Sequence, residues 1–208
     1  MKQEQKSELA RQRILDAALT EFGLKGYEGA SLNAACAENG ISKGIVYHHF
    51  KDKNELYLLC VQTCFQALTA YLERELRSFS GTAEARVQHF VGAQVRFFGE
   101  NPRYLGIFCD ASLRPPEELR EEILSCRAEF EKLNLSVLSG LLKEKPLRPS
   151  LSPQAAAEDY LGYLQYFHLR FRNALRQGGP QEQILLDHEE KCHRQLDVLL
   201  HGILGESK

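Results

Sequence analysis

Residues 31–53, SLNAACAENGISKGIVYHHFKDK, bring together the side chains best suited to bind phosphate groups. Ser42 and Lys43 stand where a short helix would begin, and a helix N-terminus favours phosphate through its dipole and its free N–H groups. Gly44 has no side chain, so the backbone there could approach a ligand closely. Groups that donate well to phosphate oxygens follow: Tyr47, His48, His49, Lys51 and Lys53. The expected chemistry is the binding of a nucleic-acid backbone, with Lys43 as the candidate for reaching a base edge.

Two short helices joined by a tight turn must position these groups. Ser31 is a favourable N-cap for the first helix, which ends at Asn39-Gly40, and Ser42 is one for the second, at residues 43–49. Small or medium apolar residues suit close packing across the turn: Ala34, Ala35 and Ile41. Three more are expected to anchor the second helix in the core: Ile45, Val46 and Phe50. This is the layout of a helix-turn-helix, in which the second helix enters the DNA major groove.

The overall charge does not by itself indicate nucleic-acid binding. The 208-residue chain has a formal net charge of −2, and residues 1–55 contain eight Lys or Arg and eight Asp or Glu. Only the local segment 43–53 is basic, with a net charge of +2 when the histidines are neutral. Because phosphate contacts supply much of the affinity for DNA, a monomer would bind weakly, and two copies would double the contacts. We therefore expect a dimer.

The whole chain is predicted to be helical. Apolar residues recur at helical spacing, and no segment alternates with the period of a β-strand. Proline and glycine mark the breaks between the elements. The pattern predicts helices at 7–24, from Asp52 to about Ser80-Gly81, at 83–99, near 102–110, and at 117–143, 153–177 and 181–204, besides the two short ones. The fold class is therefore all-α.

The run TEFGLKGYEGASLNAACAENGISKGIVYHHFKDKNELY resembles the N-terminal DNA-binding domain of the TetR/AcrR family of transcriptional regulators. The first helix ends in that family's Phe-x-x-x-Gly-Tyr pattern, here from Phe22 to Gly26-Tyr27. The family's Ser-Lys-Gly stands at residues 42–44, and its recognition helix ends in an aromatic motif, here Tyr47-His48-His49-Phe50. The resemblance covers about a quarter of the chain. Beyond it, the chain is similar to the family only in length and helical character.

This resemblance implies both an architecture and a function. Residues 1–53 would form a three-helix DNA-binding domain with the helix-turn-helix, and residues 54–208 a helical ligand-binding and dimerisation domain. The family implies a homodimer that binds a palindromic operator and acts as a ligand-responsive repressor. In such a dimer, Tyr47, His49 and Lys53 would bind phosphates. The full set of residues expected at the DNA is Ser31, Ser42, Lys43, Gly44, Tyr47, His48, His49 and Lys53.

Aromatic residues in the C-terminal part of the chain cluster in two groups, around residues 97–108 and 160–171. Such stripes usually pack in a core, but they could also line a cavity for a hydrophobic or aromatic effector, which the resemblance implies. The candidate pocket residues are Phe97, Phe98, Tyr104, Phe108, Tyr163 and Phe167.

The last predicted helix carries an apolar seam, which consists of Cys192, Leu196, Leu199 and Ile203. In the TetR/AcrR family, the last two long helices of each subunit pack as a four-helix bundle across the two-fold axis. The spacing of the seam is compatible with that bundle. It is equally compatible with internal core.

Other classes of function are less well supported by the sequence. Neither a G-x-S-x-G motif, a P-loop nor a G-x-G-x-x-G motif is present, so we expect no enzyme and no cofactor. The pairs Cys60/Cys64 and His188/Cys192 lack further ligands at zinc-site spacing, so no metal is expected. Two alternatives stay open, namely a helical scaffold that does not bind DNA and an enzyme in a helical bundle.

A polar N-terminus and the lack of a long apolar run predict a cytoplasmic protein that does not enter a membrane.

Overall fold

The computed structural model describes residues 3–178 and 180–203, which contain helices and connecting loops but no β-strand. The all-α prediction is therefore confirmed. The elements, in chain order, are α1 (Gln3–Gly29), α2 (Leu32–Glu38), α3 (Lys43–His49), α4 (Lys53–Ser78), α5 (Ala83–Glu100), α6 (Pro102–Leu113), a 3-10 turn (Glu117–Leu119), α7 (Arg120–Glu144), α8 (Pro153–Gln177) and α9 (Gln181–Ile203).

The helix boundaries lie close to the predicted ones because the sequence carries recognisable caps. Pro102 and Pro153 occupy first turns, where a missing N–H costs nothing, and the Ser152 side chain accepts a hydrogen bond from the Ala155 N–H group. The largest difference is in α1, which continues to Gly29 through a break at Gly26. Gly26 has φ 75° and ψ 175°, and a Cβ atom there would lie 2.4 Å from an Asp110 carboxylate oxygen. The positive φ favours glycine here, and a larger residue would also have to displace the Asp110 carboxylate.

The chain divides into two compact units. The first comprises the chain up to Phe65 together with Asn101–Arg127. In this unit α1 packs against α2, α3 and, most extensively, α6. The contact between α1 and α6 is made by backbone, since a Cβ atom on Gly106 would lie 1.9 Å from the carbonyl oxygen of Gly23. Rings of Phe22 and Tyr57, 4.9 Å apart at their centroids, fill the adjacent core.

A buried hydroxyl in this core provides a test of the packing. Tyr57 is fully buried, and its hydroxyl has no hydrogen-bond partner among the described residues, whereas the Tyr27 hydroxyl donates to Asn54 Oδ1. An unpaired buried hydroxyl costs free energy, so Tyr57→Phe should raise the free energy of unfolding by about 1 kcal/mol. The same change at Tyr27 should lower it by about 1 kcal/mol, because it removes a hydrogen bond that is made. Urea unfolding of the two variants checks both signs; a loss of stability in Tyr57→Phe would contradict the assignment.

The second unit comprises Gln66–Glu100 and the chain from Ala128 onward. Here α9 packs against α5 and α8. Cys192 and Leu196 are buried together with Leu200, so these residues of the predicted seam belong to the core of their own subunit. Leu199 is half-buried, and the Ile203 side chain lies outside the described residues. An ion pair of 3.1 Å between Arg96 and Glu189 joins α5 to α9.

The two compact units differ from the predicted domains, residues 1–53 and 54–208. The predicted domains were defined by function, and that division stays a prediction. Five of the six cysteines are buried, and all six are free thiols. Cys60 and Cys64 pack in the core. Within residues 3–178 and 180–203, no helix combines the length and the apolar character needed to cross a bilayer.

Candidate nucleic-acid interface

The first short helix, α2, is tied to α1 by a buried carboxylate. Ser31 caps α2, with its hydroxyl accepting a hydrogen bond of 3.4 Å from the Ala34 N–H group. The Ser31 N–H group in turn donates to Glu21 Oε1 at 2.8 Å, and the Lys25 ammonium donates to the same oxygen at 2.9 Å. Glu21 therefore fixes the start of α2 relative to α1.

The charge of Glu21 is maintained despite its burial. Burial by itself would raise the pKa of this carboxyl group. The hydrogen bonds from Lys25 and the Ser31 N–H group, together with the charges of Lys25 and Lys53, outweigh that effect and lower the pKa below its ordinary value. A carboxyl group with a lowered pKa stabilises the folded chain at every pH above the pKa that the group has in the unfolded chain. This stabilisation is lost as the pH falls through the pKa of the group in the folded chain.

The turn between α2 and α3 depends on Gly40. Its φ of 66° lies in the left-handed region, which glycine adopts without strain. The chain then reverses so that the Ile41 N–H group donates to the Cys36 carbonyl at 2.8 Å, and the Ile41 side chain is buried. This turn sets the angle at which α3 leaves α2.

The second short helix, α3, presents most of its surface to solvent. Val46 is the buried residue of this helix. Tyr47 is 53% exposed, and the Lys43 ammonium lies 5.6 Å from the centre of its ring. Ile45 was expected in the core, but 43% of it is exposed, so that prediction was wrong. The helix is only seven residues long, and Val46 and Phe50 suffice to anchor it.

The predicted DNA-facing residues are accessible on this unit. The residues exposed to solvent are Ser31, Ser42, Lys43, Gly44, Tyr47 and His48, and those half-buried are His49 and Lys53. The His48 and His49 rings lie 5.0 Å apart at the end of α3. The Ser42 side chain forms no capping hydrogen bond, which leaves its hydroxyl available to a ligand.

The junction of α3 and α4 is held by backbone hydrogen bonds to acidic side chains. Glu55 Oε2 accepts from the Lys51 N–H group at 2.7 Å, and Asp52 Oδ1 accepts from the Glu55 N–H group at 2.9 Å. This is a capping box in which the reciprocal bond goes to Lys51 rather than to Asp52. The Lys53 ammonium lies 4.7 Å from the ring centre of Tyr27. Lys53 is therefore held at the start of α4, beside the end of α3.

The predicted pocket residues fall in both units. In the second unit, the Phe97 and Phe98 rings are 5.4 Å apart, and Tyr163 and Phe167 are 4.5 Å apart. Phe98 also contacts the buried His168 at 5.0 Å. In the first unit, Tyr104 accepts a hydrogen bond from the Cys64 thiol through its carbonyl, and Phe108 lies 5.4 Å from Phe65. Phe97, Phe98, Phe108 and Phe167 are buried.

One group of side chains in the described part of the chain has the spacing of metal ligands. The ligand atoms of Glu84, Asp197 and His201 lie within 4.8 Å of one another. The Lys145 ammonium, however, binds the Glu84 carboxylate, and Arg148 donates to the His201 carbonyl at 2.9 Å. Glu84 is thus paired with a lysine, and Asp197 Oδ1 lies 3.3 Å from His201 Nδ1, so polar contacts between these side chains account for the group.

Comparison with known proteins indicates which family shares this arrangement. The family described as bacterial regulatory proteins, tetR family, matches residues 14–60, which include α2, the turn and α3. A curated relative is the negative transcriptional regulator IcaR of the biofilm operon icaADBC in Staphylococcus epidermidis. It is 26% identical over 136 residues, which are 64% of this chain and 68% of that protein. The chain is a TetR-family regulator.

Solved structures share the fold of this TetR-family regulator over nearly its whole length. A TetR family regulator from Chloroflexus aurantiacus J-10-FL has a TM-score of 0.73 at 21% identity and covers 96% of this chain and 95% of its own. FadR from Bacillus subtilis, solved in complex with stearoyl-CoA, has a TM-score of 0.72 at 13% identity and covers 89% of this chain and 97% of its own. At these identities the likeness concerns the fold.

The TetR-family regulator is a transcription regulator with a helix-turn-helix and not an enzyme. Two of its residues have places in this site that were not predicted from the sequence. Ile45 adds an exposed apolar group beside Lys43 and Tyr47, and Glu21 connects α1 to the cap of α2. The sequence gives one weak indication of the role of Glu21. It is a glutamate on an apolar helix face, ten residues before the N-cap Ser31.

Proposed function

We propose that this TetR-family regulator is a repressor that binds a palindromic operator as a homodimer and leaves it when a small ligand binds. The main support is the surface of α3, which buries Val46 and leaves Lys43, Gly44, Ile45 and Tyr47 exposed. A helix with this distribution can enter a major groove without losing its core contact. Two-fold symmetry would then place the half-sites about 34 Å apart, or a multiple of that.

Each exposed group has a proposed role at the DNA. Lys43 reaches a base edge, where a lysine ammonium pairs with guanine O6 and N7. The hydroxyl and imidazole groups donate to phosphates; these come from Ser31, Ser42, Tyr47, His48 and His49. Gly44 allows close approach of the backbone, and Lys53 anchors a further phosphate. Ile45 supplies an apolar contact of the kind that reads a thymine methyl group.

Dimerisation follows from the charge of the DNA-binding region. Residues 1–55 carry no net charge, so one subunit alone offers few phosphate contacts. We assign the interface to the outward faces of α8 and α9, which expose Tyr166, Leu186 and Val198. The inward seam at Cys192 and Leu196 is already buried within the subunit and is not available for this purpose.

Ligand response is supported by buried polar groups in the second unit. Gln94 Oε1 lies 3.0 Å from His168 Nε2, but Gln94 Nε2 and the Tyr160 hydroxyl have no partner among the described residues. Buried polar atoms without partners suit a ligand that completes their hydrogen bonds. We propose an effector with a hydrophobic or aromatic body, near Phe97, Phe98, Tyr163 and Phe167, within the ligand-binding domain of residues 54–208. Tyr104 and Phe108 remain candidates for that domain. A coupling of about 1–3 kcal/mol suffices for a 5–150-fold loss of operator affinity.

The relatives support repression and a response to a ligand. IcaR is by its name a negative regulator, and FadR was solved with an acyl-CoA, so repression and ligand binding both occur in proteins similar to this chain. We propose that the regulator works in the cytoplasm, where a bacterial chromosome lies.

The proposal is tested by selecting bound duplexes from a random library with the full chain. The expected result is an enriched sequence with two-fold symmetry. A helical scaffold that does not bind DNA would retain no duplex in a salt-dependent manner, and that outcome would overturn the proposal.

Replacement of Lys43 by alanine should weaken operator binding and make it less dependent on salt. Loss of one phosphate or base contact reduces the slope of log K against log salt by about one unit. Lys132→Ala is the matched control, because Lys132 is exposed on α7 beside Glu129, far along the chain from α3. Titration of the selected duplex at several salt concentrations measures both slopes. Equal slopes for Lys43→Ala and the unaltered chain would exclude Lys43 from the interface.

A further inference from the structure

A cleft of about 430 Å³ opens within the first unit. Arg11 of α1, Phe50 at the end of α3, Leu58 and Leu59 of α4, and Cys126 of α7 contribute to its walls. The volume falls in the range of small-molecule sites, roughly 300–1,000 Å³. None of the residues assigned to DNA contact lines it. The cleft is therefore free to serve a second purpose.

The apolar part of the cleft favours an apolar ligand body. Of the apolar residues that line it, Phe50 is buried, and Leu58, Leu59 and Cys126 are half-buried. Cys126 is the one cysteine of the six that is not buried. Burial, and then the charge of Glu122, raises the pKa of its thiol, so the group stays protonated at neutral pH. Cys126 thus acts as an apolar wall rather than as a nucleophile.

The charged groups of the cleft favour a positive ligand. Its lining includes one cation, Arg11, and two carboxylates, Glu55 and Glu122. The Arg11 guanidinium lies over the Phe50 ring at 5.4 Å, and Glu55 is engaged with the Lys51 N–H group. Glu122 is exposed and has no ion-pair partner in the described part of the chain. The lining thus has a net charge of −1, and the carboxylate available for pairing belongs to Glu122.

We infer that this cleft binds an amphipathic organic amine, whose apolar body lies against Phe50, Leu58 and Leu59 and whose ammonium group pairs with Glu122. Phe50 caps the C-terminal end of α3, and Glu55 holds the backbone between α3 and α4. A bound amine therefore contacts the residues that fix the DNA-binding segment, and it lowers the affinity for DNA. This regulatory effect rests on the proposed function, whereas the binding of the amine does not.

Binding is tested with tryptamine, a cation at neutral pH, against indole-3-acetate, an anion with the same ring. The chain contains no tryptophan, so the indole emission of the probe is measured without indole background from the protein. Tryptamine should bind at least about threefold more tightly than indole-3-acetate, and Glu122→Gln should weaken its binding about threefold, as is typical of exposed ion pairs. Glu121→Gln is the matched control, because Glu121 is adjacent, exposed and outside the cleft. It should bind tryptamine as the unaltered chain does.

A second variant tests the location. Ser125 lines the cleft and is exposed, so Ser125→Phe adds a ring to the cleft without changing the core, and it should abolish tryptamine binding at unchanged helical content. Unchanged binding in Ser125→Phe, or tighter binding of indole-3-acetate than of tryptamine, overturns the site. Bound tryptamine that leaves retention of the selected duplex unaltered overturns the regulatory effect. A chain that retains no duplex even without tryptamine instead contradicts the proposed function, and the amine titration remains valid.

Discussion

Lowering the pH from 7 to 5 should reduce the free energy of unfolding by about 4 kcal/mol through two buried histidines. His168 is buried beside Gln94, and burial, with a further contribution from His188, lowers its pKa to about 3. His188 is buried with its ring stacked on Phe171 at 4.5 Å. Burial, followed by the positive charges of Lys191 and Arg170, lowers the pKa of His188 to about 4. Both imidazoles are therefore neutral in the folded chain at pH 5.

The direction of the effect follows from proton binding. In the unfolded chain a histidine has a pKa of about 6.5, so below that pH the unfolded state binds protons that the folded state does not. Stability is fully present above pH 6.5 and falls as the pH decreases toward the folded pKa values of about 4 and about 3. At pH 5 each histidine then accounts for about 2 kcal/mol.

Urea unfolding at pH 7 and pH 5 measures this loss, and His188→Phe identifies its source. Phenylalanine keeps the stacking on Phe171 and removes the titrating ring, so the pH-dependent loss should fall by about half. His48→Gln is the control, because His48 is exposed and a change there should leave the loss as it is. If the unaltered chain and His188→Phe lose the same stability between the two pH values, His188 is not the group responsible.

Local structure was predictable where one residue determines the backbone nearby. Ser31 is the cap of α2, Gly40 has positive φ in the turn, and Pro153 stands in the first turn of α8, as the sequence indicates. Each of these effects acts within a few residues. The candidate DNA-facing residues could be proposed for the same reason, because they lie on or beside one short helix whose position follows from its caps.

Features that depend on contacts between distant segments were not predictable. Ile45 is as apolar as a core residue, but α3, which packs against α1, buries Val46 and leaves Ile45 exposed. Gly23 and Gly106 are 83 positions apart, and nothing near either indicates that the two backbones touch. The first unit similarly includes Asn101–Arg127, which is distant in sequence from the rest of that unit. It belongs there because α6 packs against α1.

Replacement of Gly106 by alanine should cost about 3 kcal/mol of folding free energy, at the upper end of what overpacking causes. The added Cβ atom would lie 1.9 Å from the Gly23 carbonyl oxygen and 2.7 Å from its carbonyl carbon. These are backbone atoms of a helix, which cannot turn aside as a flexible side chain can, so α1 and α6 must separate. Because α1 also carries α2 and α3, the same change should weaken operator binding.

The control uses the same substitution in a helix where space is available. Gly140 lies in α7, and nothing stands within 4 Å of a Cβ atom built there. Alanine at this position should raise the free energy of unfolding by about 0.5–1 kcal/mol, because glycine loses more backbone entropy in a helix. The two Gly→Ala variants are thus expected to change stability in opposite directions, as measured by urea unfolding at neutral pH. An unfolding free energy for Gly106→Ala equal to that of the unaltered chain would mean that the close α1–α6 contact does not form in solution.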